Sequence, residues 1–229
     1  ANLDDAIKAA TNGMNFGWQG QSCGSTSRLI IHRSQYDELS KKVVERVSQV
    51  KVGHPLDTSI KMGPVVSEAQ YQKVLNYIQI AKDEGAELLL GGNPMEIEGC
   101  PGGFFVEPTV FGNVRSNMRI AQEEVFGPIM SLMPYDDLDE AIEIANSTTY
   151  GLTAAIWTNN YFTAMELSRS IEAGYVWVNG IGNHYRGQPY GGYKNSGIGR
   201  EEGLDEMLSY TEVKSLNFAM GQADRAKNN

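Results

Sequence analysis

The chain has 229 residues, 41% of them hydrophobic and 21% charged, an ordinary globular composition with length for one sizeable domain or a domain plus an arm. A net charge of −9 without any basic block argues against nucleic acid as a partner, and the apolar runs are too short to cross a bilayer. Two cysteines, Cys23 and Cys100, do not make a disulfide framework, and Asp4 and Asp5 stand where a signal peptide would be basic, so a cytoplasmic, reducing setting is expected.

Residues 3–15 read as a helix with Leu3, Ile7, Ala10 and Met14 on its apolar face. A glycine-rich stretch around Cys23 follows, then a short buried strand at Leu29-Ile30-Ile31. Ser34 is expected to cap a second helix striped by Leu39, Val43, Val47 and Val50, which Gly53-His54-Pro55 breaks. The Ser67-x-x-Gln70 box opens a third helix, with Val74, Leu75, Ile78 and Ala81 inward and Gly85 as stop. Strands are expected at residues 88–90, 104–106, 109–111, 129–133, 153–157 and 175–178, with residues 93–103 a loop. Between them lie helices opened by Asp137-x-x-Glu140 and spanning residues 162–171. This alternation predicts an α/β fold with a mostly parallel sheet flanked by helices.

Residues 180–199 hold seven glycines and little aliphatic content, so they read as a long loop whose His184, Tyr185, Arg186 and Tyr190 favour a functional role. A helix near residues 201–208 and a terminal strand over residues 210–218 follow. That strand lies beyond the last core helix and is expected to pair outside the domain. Residues 219–229 read as a disordered tail.

Chemistry centres on Phe16-Gly17-Trp18-Gln19-Gly20-Gln21-Ser22-Cys23-Gly24. Only a thiolate attacks carbon, and small neighbours such as Ser22 and Gly24 leave room for a substrate to approach the sulfur. From the residues alone a small buried core cysteine is the readier alternative. Likewise Glu123-Glu124 alone reads as a solvated helix end, and Gln70 and Lys73, one turn apart, as a surface pair. His184 alone reads as an exposed loop histidine. His32 and His54 belong to no ligand cluster, so no metal is expected.

The run Phe16 to Cys23, of the form Phe-x-x-x-Gly-Gln-x-Cys, resembles the active-site cysteine segment of the NAD(P)-dependent aldehyde dehydrogenases. Further similar segments follow in order: Gly63-Pro64, Gln122 to Pro128, Tyr150-Gly151-Leu152, Trp177-Val178-Asn179, Pro189 to Lys194 and Ser196 to Glu201. The similarity runs over nearly the whole chain, which looks like the C-terminal, catalytic portion of the family. It implies a catalytic domain over residues 1–195, with a helix, an oligomerisation strand and a tail over residues 196–229.

The resemblance implies oxidation of an aldehyde to a carboxylic acid with NAD or NADP, through a thiohemiacetal and a thioester on Cys23. The Cys23 backbone N–H is implied as an oxyanion donor, with Ser22 and Gly24 beside it as substrate-binding residues. Glu124 is implied to bind ribose hydroxyls, which an acceptor-only carboxylate suits, and Phe126 to pack on the nicotinamide side. Gln70 and Lys73 are implied to reach the same ribose, and Tyr190 and His184 to line the substrate tunnel. Tyr185, Arg186 and Gln188 beside them predict a polar tunnel mouth, and Gly17 a wider pocket. A homo-oligomer, dimer or tetramer, is implied through the terminal strand. The family's glycine-rich nucleotide loop, general-base glutamate and oxyanion asparagine are not in this sequence, so the chain is read as a fragment lacking the nucleotide-binding half. An inactive structural domain and a thiol esterase are the alternative readings.

Overall fold

The computed structural model describes residues 2–219. Helix α1 (Leu3–Gly13) is capped by Asn2, whose side chain accepts from the Asp4 N–H, and it turns Ile7 and Ala10 inward. Strand β1 (Arg28–His32) runs directly into α2 (Arg33–Ser48). The cap of α2 is His32, not Ser34: the His32 ring accepts from the Ser34 N–H, because the helix begins at Arg33 and Ser34 already lies inside it. Helix α3 (Glu68–Asp83) is capped by Ser67 as expected and ends at Gly85, whose φ of +85° suits a residue without Cβ.

Strand β2 (Glu87–Leu90) is followed by β3 (Pro94–Met95), which pairs antiparallel with β4 (Phe105–Val106). The expected 93–103 loop is thus the connection of a small hairpin, with Cys100 in its turns. Strand β5 (Thr109–Gly112), a single-turn helix α4 (Arg119–Gln122) and β6 (Ile129–Tyr135) come next. Asp137 caps α5 (Leu138–Asn146), accepting from the Glu140 N–H at 2.9 Å. After β7 (Tyr150–Gly151) and β8 (Thr153–Ile156) come α6 (Tyr161–Ser170), β9 (Tyr175–Val178), β10 (Tyr193–Lys194) and α7 (Leu204–Ser209).

The main sheet has the order β1-β6-β5-β2, with β6 parallel to both β1 and β5, and β2 antiparallel at the edge. Successive side chains along a strand point to opposite faces. Ile129 and Met133 of β6 therefore pack with Val74, Ile78 and Phe111 under α3, while Met130 and Leu132 pack with Ile7, Val43, Val47 and Val110 under α1 and α2. Both faces are covered, which is why β6 reads as a nearly continuous apolar run. Val43, Val47, Val74, Met130 and Leu132 are fully buried, each contributing roughly 1.5–3 kcal/mol of transfer free energy.

Strands β8 and β9 form a separate parallel pair. The free edge of β1 and residues of β8 line one cleft, so the main sheet and the β8–β9 pair stand on either side of it. Arg28 crosses its floor: its guanidinium donates to the carbonyls of Ile144 (2.9 Å) and Ala145 (3.0 Å) at the end of α5. Burial lowers the Arg28 pKa from its ordinary value.

The expected strand over residues 210–218 is not formed. From Thr211 to Phe218 no residue joins a ladder among the described residues, and Val213, Leu216 and Phe218 are exposed. A strand needs a partner edge, and this segment meets none here. The expected tail, apart from Ala219, lies outside the described residues.

Candidate active site

The approach to Cys23 is a series of tight turns. A short 3₁₀ turn at Phe16–Trp18 buries Phe16, with Asn15 and Gln19 on either side in the left-handed region. Gly20, at φ +66°, passes so close to the next functional loop that a Cβ there would lie 2.6 Å from the carbonyl carbon of Gly127. Glycine is required at this crossing for both conformation and space. The Ser25 N–H then donates to the Ser22 carbonyl at 3.0 Å, closing a turn that presents Cys23 at its tip. Cys23 is exposed, which excludes the buried core alternative. Within that turn the N–H groups of Cys23 and Gly24 donate to no acceptor among the described residues. They are free to meet a developing oxyanion.

Cys23 and Ser22 line a cleft of about 630 Å³ together with Glu124 and Phe126. The same cleft extends along β1 and β8, so it is larger than a substrate pocket alone. Glu124 is exposed, and its carboxylate accepts no hydrogen bond among the described residues. Phe126 is half-buried at φ +56°, an outlier for a bulky residue. Such backbone strain, about 1–3 kcal/mol, persists only where its surroundings impose it.

Gln70 and Lys73 are the surroundings that impose it. The Gln70 amide donates to the carbonyls of Val125 (3.0 Å) and Phe126 (2.7 Å), and the Lys73 ammonium donates to the Glu124 carbonyl at 2.9 Å. Both side chains hold the backbone that carries Glu124 and Phe126, a contact that the sequence reading did not foresee. The neighbouring Glu123 is held at about 2, first by the Arg119 guanidinium and then by the Tyr77 hydroxyl.

The third component is the loop between β9 and β10. Tyr190 and Glu201 exchange backbone hydrogen bonds, Tyr190 N–H to Glu201 at 2.9 Å and the reverse at 2.6 Å. His184 stacks on Tyr175 with ring centres 5.5 Å apart, lies 4.7 Å from the Tyr190 ring, and is anchored through Nδ1 to Glu202 at 2.7 Å. The Trp177 indole and the Tyr175 hydroxyl both donate to the Asn183 carbonyl. The glycine-rich loop is thus fastened to β9 by aromatic side chains. Tyr175 and Glu202 escaped the sequence reading, and Trp177 entered it only as part of a strand and of a family-like segment, with no role given to its ring. Tyr190 and His184 do not line the cleft of Cys23, but the Tyr190 hydroxyl lies 3.7 Å from where a Cβ on Gly24 would stand.

Among the described residues no group of three His, Cys, Asp or Glu is placed to hold a metal ion, and no helix is long and apolar enough to cross a membrane.

An α/β sheet covered on both faces, with an exposed cysteine at a turn and a carboxylate–aromatic loop on the same cleft, defines a thiol-bearing α/β domain. The aldehyde dehydrogenase family model matches residues 1–216, and the chain belongs to that family. It is 47% identical over 227 residues to an aldehyde dehydrogenase, tropH, of Talaromyces stipitatus, covering 97% of this chain and 44% of that protein. A betaine aldehyde dehydrogenase of Mesorhizobium japonicum is 42% identical, covering 96% of this chain and 45% of its own length. The aldehyde dehydrogenase of Bacillus cereus, solved as its NAD+ complex, superposes with a TM-score of 0.88 at 41% identity, covering 94% of this chain and 43% of that one. The chain thus spans less than half the length of these relatives.

Proposed function

We propose that this chain carries the nucleophile of an NAD(P)-dependent aldehyde dehydrogenase, with Cys23 adding to an aldehyde to give an enzyme-bound acid precursor. The observation that carries the reading is the exposed Cys23, in a turn with free N–H groups, on the same cleft as Glu124 and Phe126. Attack of the thiolate on the carbonyl forms a C–S bond and places negative charge on the former carbonyl oxygen. The N–H groups of Cys23 and Gly24 receive that charge. Collapse of the thiohemiacetal, with loss of hydride, leaves a thioester on Cys23, which water hydrolyses to the carboxylic acid and the free thiol. A bound NAD(P)+ supplies the hydride acceptor.

The residues present fit the nicotinamide end of such a cofactor. Glu124 offers an uncommitted carboxylate to ribose hydroxyls, and Phe126 a partly exposed ring, while Gln70 and Lys73 position the loop that bears them. For the phosphates and the adenine this sequence carries no counterpart of the family's glycine-rich nucleotide loop, so by itself it binds NAD+ weakly and turns over little. Ser22 and Gly24 border the reacting carbon, and Tyr190 and His184 shape the route to it. Residues 1–195 form the catalytic domain in this reading. The segment from residue 196 onward supplies an arm, whose exposed Val213, Leu216 and Phe218 pair with another subunit of a homo-oligomer. A working thiol of this kind suits a reducing, cytosolic compartment.

The test uses the whole-length protein. Quenching a reaction with aldehyde and NAD+ and mapping peptides by mass should find an acyl group on Cys23. Turnover that survives in Cys23→Ala, or an acyl group on another residue, would overturn the reading.

A further inference from the structure

Outside Gly24 and its two chain neighbours, the phenol oxygen of Tyr190 is the one described atom within 4 Å of a Cβ built on Gly24, at 3.7 Å, so it stands beside the residue that follows Cys23. The Tyr175 hydroxyl is engaged by Asn183 and Gln188. That of Tyr190 has no hydrogen-bond partner among the described residues, and burial first, then the charge of Cys23, raises the Tyr190 pKa. A phenol that keeps its proton at neutral pH is a donor. The ring is fixed from three sides: by the backbone bridge to Glu201, by His184 at 4.7 Å and by Tyr175 at 5.4 Å between ring centres. Glu202 in turn fixes His184. The cluster aims an unengaged donor at the turn that bears the thiol.

We propose that the Tyr190 hydroxyl donates a hydrogen bond to the Cys23 thiolate, so that Tyr190 is a catalytic residue activating the nucleophile. The inference rests on the reading of Cys23 as nucleophile. A donor to an ionised acceptor is stronger than one between neutral groups, and it favours the ionised form. The thiolate fraction at neutral pH, and with it the rate of attack, rises accordingly.

The purified protein tests this without turnover. Iodoacetamide alkylation of Cys23 and of Cys100 is followed by peptide mass across the neutral and alkaline range, in the native protein and in Tyr190→Phe. The variant keeps the ring and removes only the oxygen. The Cys23 profile should move up by about one pH unit and its rate at neutral pH fall about tenfold, with Cys100 unchanged. An unmoved Cys23 profile, or a shift shared by Cys100, overturns the proposal. Should Tyr190→Phe not fold, 3-fluorotyrosine placed at position 190 supplies a second readout. Coupling between two ionisable groups is reciprocal, so its fluorine resonance should titrate along with the alkylation of Cys23 and lose that step in Cys23→Ser. The same titration in both overturns the proposal. Failure of the nucleophile reading looks different: there Cys23 reacts no faster than Cys100 in the native protein, and both ideas fall together.

Discussion

Gly20 joins the two halves of the candidate site, and replacing it with alanine tests how tightly they are locked. Its φ is +66°, and an added Cβ would meet the carbonyl group of Gly127, with the carbon 2.6 Å away, and the Met14 methyl at 2.9 Å. The first cost is conformational, about 1–2 kcal/mol for a residue with a Cβ in the left-handed region. The second is steric, and backbone cannot give way as a flexible side chain does, so overpacking adds about 1–3 kcal/mol. Gly102 provides the control: at φ +75° with nothing within 4 Å, Gly102→Ala incurs the first cost alone. Urea unfolding of both variants with unchanged m-values should place Gly20→Ala about 1–3 kcal/mol below Gly102→Ala. Equal stabilities would refute the claim that the thiol turn and the Glu124–Phe126 loop are pressed together at this point.

Further outcomes follow from the same geometry. Arg28→Met strips two carbonyls at the end of α5 of a charged donor and should destabilise the chain by about 2–4 kcal/mol in urea unfolding. Gln70→Ala releases the Val125 and Phe126 carbonyls, so amide exchange at Phe126 and Gly127 should quicken markedly while global stability falls only about 1–2 kcal/mol. Glu123, held at about 2 against an ordinary value of 4.5, is depressed on folding. Its contribution is therefore complete above the unfolded value and is lost as pH falls from there through about 2. The pair is half-exposed, so Glu123→Gln should remove a small part of the acid-side loss of stability, read from urea midpoints at successive pH values.

What the sequence made legible was what local chemistry decides. Ser67 and Asp137 cap their helices because a side-chain oxygen reaches an N–H three residues on, a choice made within one turn. At His32 the same chemistry misled, since an imidazole took the cap that Ser34 was expected to supply. The apolar run Ile129–Met133 and the helical spacing of the buried Val43 and Val47 were readable from the pattern, and with them the layered sheet. Strand partners were less legible. The pairing of Pro94–Met95 with Phe105–Val106 spans a glycine-rich loop, and residues 210–218 have strand-like residues but no edge to join. The site divides in the same way. Cys23 stood out by its small neighbours and by the resemblance, whereas its sharing of a cleft with Glu124 depends on the crossing at Gly20. The carbonyl-binding roles of Gln70 and Lys73, and the ring cluster around His184, arise from contacts between distant segments that no local pattern announces.

The central claim is that Cys23 is presented as a nucleophile, and competition between the two cysteines for a limiting amount of iodoacetamide at neutral pH tests it most directly. The account predicts that Cys23 is alkylated at least about tenfold faster than the half-buried Cys100, with NAD+ in the whole-length protein altering only the Cys23 rate. Equal labelling of the two, or faster labelling of Cys100, would contradict it.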